Sequence, residues 1–260
     1  MKPETIRYGS GRGRVAEVWR PDGAGEPLPV VVLIHGGFWR QQYTKRLMHR
    51  LAQAVTDRGW MAYNIEYRRV GRFGRGGWPE TYEDVSDAID ALAQVDGVDL
   101  RRVATCGHSA GGQLALWAAS TRSTGDPGRA APSVEVAAAV SLAGVVDLEA
   151  AARQFVGRGA VQALMGGGPD DLPDRYRLGS PAALLPLGKP QLLLHGLADG
   201  SVPVWLSELY VRTAEAWGDA ATYVPLPGVG HMELISGIGA PFQELAAWLD
   251  SVFSRLAPRA

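Results

Sequence analysis

A chain of 260 residues is long enough to bury one large α/β core, and its 26 Lys and Arg against 27 Asp and Glu leave a net charge of −1, too little to recruit nucleic acid or an anionic membrane. A single cysteine, Cys106, excludes an intrachain disulfide. The opening Met1-Lys2-Pro3-Glu4-Thr5-Ile6-Arg7 lacks the apolar core of a signal peptide, and the longest apolar run, Val136 to Val146, is too short to span a bilayer, so the expectation is a cytoplasmic protein without nucleic-acid or membrane partners.

Strand-like and helix-like segments alternate along the chain, the pattern of a mostly parallel sheet with helices on both faces. Val15 to Trp19 reads as an early strand, Asp22-Gly23-Ala24-Gly25 as a turn and Val30 to Ile34 as a fully buried strand. Leu47, Leu51 and Val55 share a helical face that Gly59 caps. Met61 to Tyr67 is the next strand, and Pro79 opens a helix striped by Val85, Ile89 and Leu92. Val103 to Cys106 is a strand, and Gln113 to Ala119 a helix. Further on, Val136 to Leu142, Gln191 to Leu194 and Thr222 to Leu226 read as strands, with Val204 to Trp217 and Phe242 to Leu256 as helices. Between 148 and 186 the pattern breaks at Gly157, Gly159, Gly166-Gly167-Gly168-Pro169 and Pro173. The reading there is an irregular insertion within a single domain spanning 1–260, either a small lid or a surface excursion away from substrate.

The most informative stretch is Gly107-His108-Ser109-Ala110-Gly111. A GxSxG string arises by chance in a glycine-rich chain, and its context decides its meaning: here a β-type run precedes it and a helix-forming run follows, so Ser109 sits on a strand-to-helix turn as a candidate nucleophile. A serine nucleophile needs a base, an acid that orients the base, and backbone donors for the oxyanion. His231, in the loop Gly228-Val229-Gly230-His231-Met232 after the last strand, is the candidate base. His108 should project away from the nucleophile, His49 sits on the exposed side of a helix, and His35 and His195 end strands, where they hold neighbouring loops. Asp199, just after a strand, is the candidate acid, because the order Ser, Asp, His matches the α/β-hydrolase arrangement; Asp147 is its rival, with helix N-capping as the other reading. His35-Gly36-Gly37-Phe38-Trp39 follows a central strand, where its amides would face an oxyanion together with that of Ala110.

Together HGGFW (35–39), GHSAGG (107–112), HGLADGSVP (195–203) and GHMEL (230–234), with Tyr67-Arg68, Pro79-Glu80 and Glu83-Asp84-Val85, resemble the α/β-hydrolase superfamily. Within it the chain is similar to small bacterial esterases related to kynurenine formamidases and to hormone-sensitive-lipase-type carboxylesterases, from about Val15 onward. The resemblance implies an α/β-hydrolase fold with Ser109 as nucleophile, Asp199 as acid, His231 as base and Gly37, Phe38 and Ala110 as oxyanion donors. Phe38 replaces the third glycine of the lipase-type HGGG, closer to the HGGxW of formamidases. The chain also departs after Tyr67-Arg68, where Leu-Ala-Pro often follows: Arg68, Arg69, Arg72 and Arg75 lie among glycines, in a solvated mobile loop or a carboxylate-binding one.

The resulting expectation is a cofactor-free, metal-free serine hydrolase of small esters or activated amides. Trp39, Trp78 and Trp205, joined by Phe155 and Met165 of the insertion, line the substrate pocket or belong to the core. Two alternatives stand beside it: an arylformamidase acting on N-formylkynurenine, and a hydrolase-fold ligand-binding protein with little turnover. Gly9-Ser10-Gly11-Arg12-Gly13 gives almost no support to dinucleotide binding, since its spacing is wrong and it does not sit between a strand and a helix. The oligomeric state, a homodimer included, is left open.

Overall fold

The structure is a computed structural model that describes residues 2–11, 13–23, 25, 27–120 and 132–257. Two short strands, β1 (Glu4–Arg7) and β2 (Val15–Trp19), precede the buried β3 (Leu28–Ile34). Helix α1 (His49–Asp57), β4 (Met61–Ile65), α2 (Glu80–Asp90), β5 (Val98–His108), α3 (Ala110–Ala119) and β6 (Ala138–Leu142) then alternate. Three short helices follow, α4 (Leu148–Arg153), α5 (Ala160–Met165) and α6 (Pro173–Gly179), before β7 (Gln191–Gly196), α7 (Trp205–Ala216), β8 (Ala221–Leu226) and α8 (Gly239–Leu256).

The eight strands form one sheet in the order β1-β2-β4-β3-β5-β6-β7-β8. β1 and β2 run antiparallel at one edge, and the remaining pairs from β4 to β8 are parallel. This is the α/β-hydrolase fold. From β3 the chain crosses first to β4 on one side and then to β5 on the other, so the crevice beyond the carboxyl ends of β3 and β5 is the topological switch point where open α/β sheets take ligands.

Side-chain alternation explains why β3 carries no polar position. Val30, Val32 and Ile34 pack into the core shared with α2 and α3, while Val31 and Leu33 pack into the opposite core beneath α1 and α8. α3 is buried over its whole length, as its apolar composition on every side requires. Among the described residues no helix is long and apolar enough to cross a membrane.

Three differences from the sequence reading have physical causes. β1 escaped notice because Glu-Thr-Ile-Arg has no apolar run and is mostly exposed. Leu92 falls in a short 3-10 turn after α2 rather than in the helix itself. The segment 148–186 is helical rather than irregular: its glycines separate short helices, with Gly159 and Gly166 bracketing α5 in left-handed conformation, and Val161, Leu164 and Met165 are wholly buried. Met165 therefore packs in the core.

Candidate active site

The carboxyl ends of β3, β5, β7 and β8 carry the residues singled out above. Ser109, between β5 and α3, has φ 56° and ψ −120°. A non-glycine residue costs about 1–3 kcal/mol in such a conformation and persists only where its surroundings over-determine it. Here close approach does so: a Cβ on Gly107 would lie 1.9 Å from the Gly111 carbonyl oxygen, and one on Gly111 would lie 2.0 Å from that of Ile34. Strand and helix thus meet at backbone contact, and the Ser109 N–H is fixed by the Leu142 carbonyl at 2.8 Å.

The turn after β3 lies directly against this serine, since a Cβ on Gly36 would come within 2.9 Å of the Ser109 Cβ. His35 anchors the turn, stacked on Tyr67 at 4.3 Å between centroids and 2.8 Å from a Glu66 carboxylate oxygen, while the Tyr67 hydroxyl donates to the His35 carbonyl. Gly37, Phe38 and Trp39 are all left-handed, with φ of 107°, 51° and 54°. The amides of Gly37, Phe38 and Ala110 have no hydrogen-bond acceptor among the described residues, as suits donors for an oxyanion. The Phe38 ring packs on Gly157 of the insertion, and Arg40 donates to the Gly157 carbonyl at 2.7 Å.

The candidate acid and base are held by a chain of hydrogen bonds. Asp199 Oδ2 lies 2.6 Å from His231 Nδ1. A carboxylate only accepts, so Nδ1 carries the proton and His231 Nε2 keeps a free lone pair, the tautomer a general base requires. The second oxygen, Oδ1, accepts from the amides of Ser201 and Val202 at 2.7 and 2.9 Å. Burial works to raise the Asp199 carboxyl, but hydrogen bonds from His195, His231 and these amides outweigh it and hold the group well below the usual carboxylate range. Its rival, Asp147, caps α4 by accepting from the Ala150 amide at 3.0 Å, and burial raises its carboxyl.

Two further histidines complete this arrangement. His195 Nε2 faces the Val202 carbonyl at 3.1 Å and Asp199 Oδ2 at 3.3 Å, both acceptors, so that nitrogen carries the proton; Nδ1 then accepts from the Ser207 hydroxyl at 2.8 Å. His108, the residue before Ser109, is buried and donates through Nε2 to the His231 carbonyl at 3.0 Å, its ring 4.4 Å from that of His231. This contact ties the His231 backbone to the residue that precedes Ser109. Burial, assisted by His231, pushes the His108 imidazole down to about 3.

The three tryptophans expected around a pocket sit in different surroundings. Trp39 is fully buried in the core, its indole N–H 3.2 Å from Gln113 Oε1. Trp78 packs edge-on to Tyr82 at 4.7 Å. Trp205 lines a separate cleft of about 390 Å³ with Tyr176 and Tyr210, whose walls include neither Ser109 nor His231. Phe155 is largely exposed. Sequence reasoning missed Gln113, which joins Trp39, Tyr82 and the Gly179 carbonyl beneath the serine-bearing turn; one polar residue inside an otherwise apolar helix was its only signal.

A family model described as BD-FAE matches residues 16–213. The chain belongs to the BD-FAE family. This BD-FAE chain is 30% identical over 268 aligned residues to Esterase LipC of Mycobacterium tuberculosis, covering 95% of the chain and 64% of LipC. It is 25% identical to the kynurenine formamidase of Salmo salar, over 55% of the chain and 46% of that protein. The chain thus spans less than two thirds of either relative. A truncated carbohydrate esterase from gut microbiota superimposes with a TM-score of 0.83 at 21% identity, covering 98% of this chain and 97% of the other, a likeness of fold.

Proposed function

We propose that this BD-FAE chain is a serine hydrolase that cleaves small carboxylic esters through an acyl-enzyme. The observation that carries the reading is the hydrogen bond of 2.6 Å between Asp199 and His231 Nδ1, in a histidine whose carbonyl is bonded to the residue preceding a serine on a strained turn. In this mechanism His231 Nε2 takes the Ser109 hydroxyl proton as the oxygen attacks the ester carbonyl, and the imidazolium is stabilised by Asp199. Negative charge developing on the carbonyl oxygen is met by the amides of Gly37, Phe38 and Ala110, donors of a kind worth about 3–4 kcal/mol each in comparable sites. The imidazolium then protonates the departing alcohol, leaving Ser109 acylated. Water, deprotonated by the same nitrogen, attacks the acyl-enzyme and releases the acid.

A second reading, hydrolysis of N-formylkynurenine, draws on the HGGFW turn and on the likeness to kynurenine formamidase. A panel of short- and long-chain p-nitrophenyl esters together with N-formylkynurenine separates the two at equal enzyme. The esterase reading expects ester turnover that disappears in Ser109→Ala. A kcat/KM for N-formylkynurenine above that of every ester would replace it with the formamidase reading, and a folded protein that turns over none of them would leave ligand binding as its role.

A further inference from the structure

Beyond β4 the chain lays Arg68, Arg69, Arg72 and Arg75 along a cleft of about 940 Å³, whose walls also include Ser10, Gly11, Gly13 and Arg14. Three of these five guanidinium groups are neutralised within the protein. Arg14 pairs with Asp84 at 3.1 Å and with Asp87; Arg68 pairs with Asp84 at 2.8 Å and Glu83 at 3.3 Å; Arg69 pairs with Glu66 at 3.0 Å. Arg72 and Arg75 are exposed and have no carboxylate partner among the described residues. The cleft therefore presents two guanidinium groups, those of Arg72 and Arg75, that no carboxylate among the described residues pairs with.

This loop is stitched to the segment that leaves the turn beside Ser109. The Val70 amide donates to the Trp39 carbonyl at 2.7 Å, and the Gln41 amide donates back to Val70 at 2.9 Å. Arg69 donates to the Tyr43 carbonyl, and the Tyr43 ring lies against Gly37. A ligand in the cleft is thus next to the segment whose amides face the reacting carbonyl. Arg72 sits with its guanidinium 5.5 Å from the centroid of the Phe73 ring, which is 79% exposed. Stacking of this kind leaves the guanidinium edge free for a planar acceptor, and the ring offers an apolar surface beside it.

We infer that Arg72 and Arg75 form a carboxylate-binding subsite that selects esters bearing a free acid group at the end of an apolar segment, an assignment that rests on the hydrolase reading above. Carboxylate oxygens match the paired N–H donors of guanidinium, and a surplus of positive charge in a cleft favours an anionic substrate over its neutral isostere. The acid can be carried by the acyl group or by the alcohol, and the two are tested separately.

In the acyl arm, p-nitrophenyl half-esters of dicarboxylic acids of graded length are compared with p-nitrophenyl esters of fatty acids of the same length. In the alcohol arm, butanoyl esters of ω-hydroxy acids are compared with butanoyl esters of n-alkanols. The quantity read is the ratio of kcat/KM for the acid to that for its neutral partner, which cancels any general change in the enzyme. The subsite predicts a ratio above one at some length in one arm, at least tenfold lower in Arg72→Gln/Arg75→Gln and falling in wild type as salt is raised. Wild-type turnover of the neutral esters with no preference for the acid in either arm, or a preference that the double variant and salt leave unchanged, overturns the subsite alone. Failure of wild type to hydrolyse any of these esters removes the hydrolase reading and the subsite with it.

Discussion

The chemistry of the site turns on which nitrogen of each histidine carries a proton. Asp199 faces His231 Nδ1, so Asp199→Asn presents an amide donor where an acceptor is needed and favours the tautomer with its proton on Nε2. Steady-state kinetics on a p-nitrophenyl ester are expected to show a kcat lower by about 10⁴-fold with KM little changed, the size of loss seen for the same exchange in a comparable triad. His108 yields a second expectation. Folded, it binds its proton only near pH 3, while the ordinary value is 6.5. The unfolded chain therefore holds more protons between these values, and stability falls as pH drops from 6.5 toward 3. His108→Gln keeps an N–H for the His231 carbonyl but does not titrate. Between pH 7 and 4.5, wild type is expected to lose about 3 kcal/mol more than this variant in urea unfolding; equal losses would assign the acid sensitivity to other groups. That Ser109, Asp199 and His231 each follow a strand, with Asp199 paired to His231, was legible from the chain order of the expected triad. The bond from His108 to the His231 carbonyl was not, because it joins residues 123 positions apart through a backbone atom.

At the scale of elements, the turn between β5 and α3 exists because the helix start can touch the end of β3. Gly111→Ala would put a methyl group 2.0 Å from the Ile34 carbonyl oxygen, in backbone that cannot rotate aside. Such overpacking costs about 3 kcal/mol or more, and calorimetry is expected to show a Tm lower by roughly 10 °C; an unchanged Tm would mean that strand and helix meet less closely. The long parallel strands were readable from their β-branched runs, since burial on both faces leaves no polar position to confuse the pattern. The insertion was misread because helices of six or seven residues are too short to display a helical period between glycines. Its burial comes from tertiary contact, with α5 seated in the core beside Tyr82 and Trp39.

Across the whole molecule, four strands that run the same way deliver the serine-bearing turn, the Gly36-Gly37 turn, the acid and the base to one edge of the sheet. Such convergence follows from parallel topology, in which successive strand ends share one side and the switch point opens a crevice there. The same edge carries the arginine cleft, so the connection after β4 that bears Arg72 and Arg75 neighbours the one after β3 that bears Gly37 and Phe38. The alternation of segments made this architecture legible, whereas the closeness of its loops depends on packing that a linear pattern does not encode. The central claim is that Ser109 is a nucleophile activated by His231 and Asp199. It is tested most directly by incubating the folded protein with a fluorophosphonate and locating the adduct by peptide mass mapping. The account predicts one adduct per chain, on Ser109, absent from Ser109→Ala and strongly slowed in His231→Ala. A folded wild-type protein that remains unlabelled, or an adduct on another residue, would contradict it.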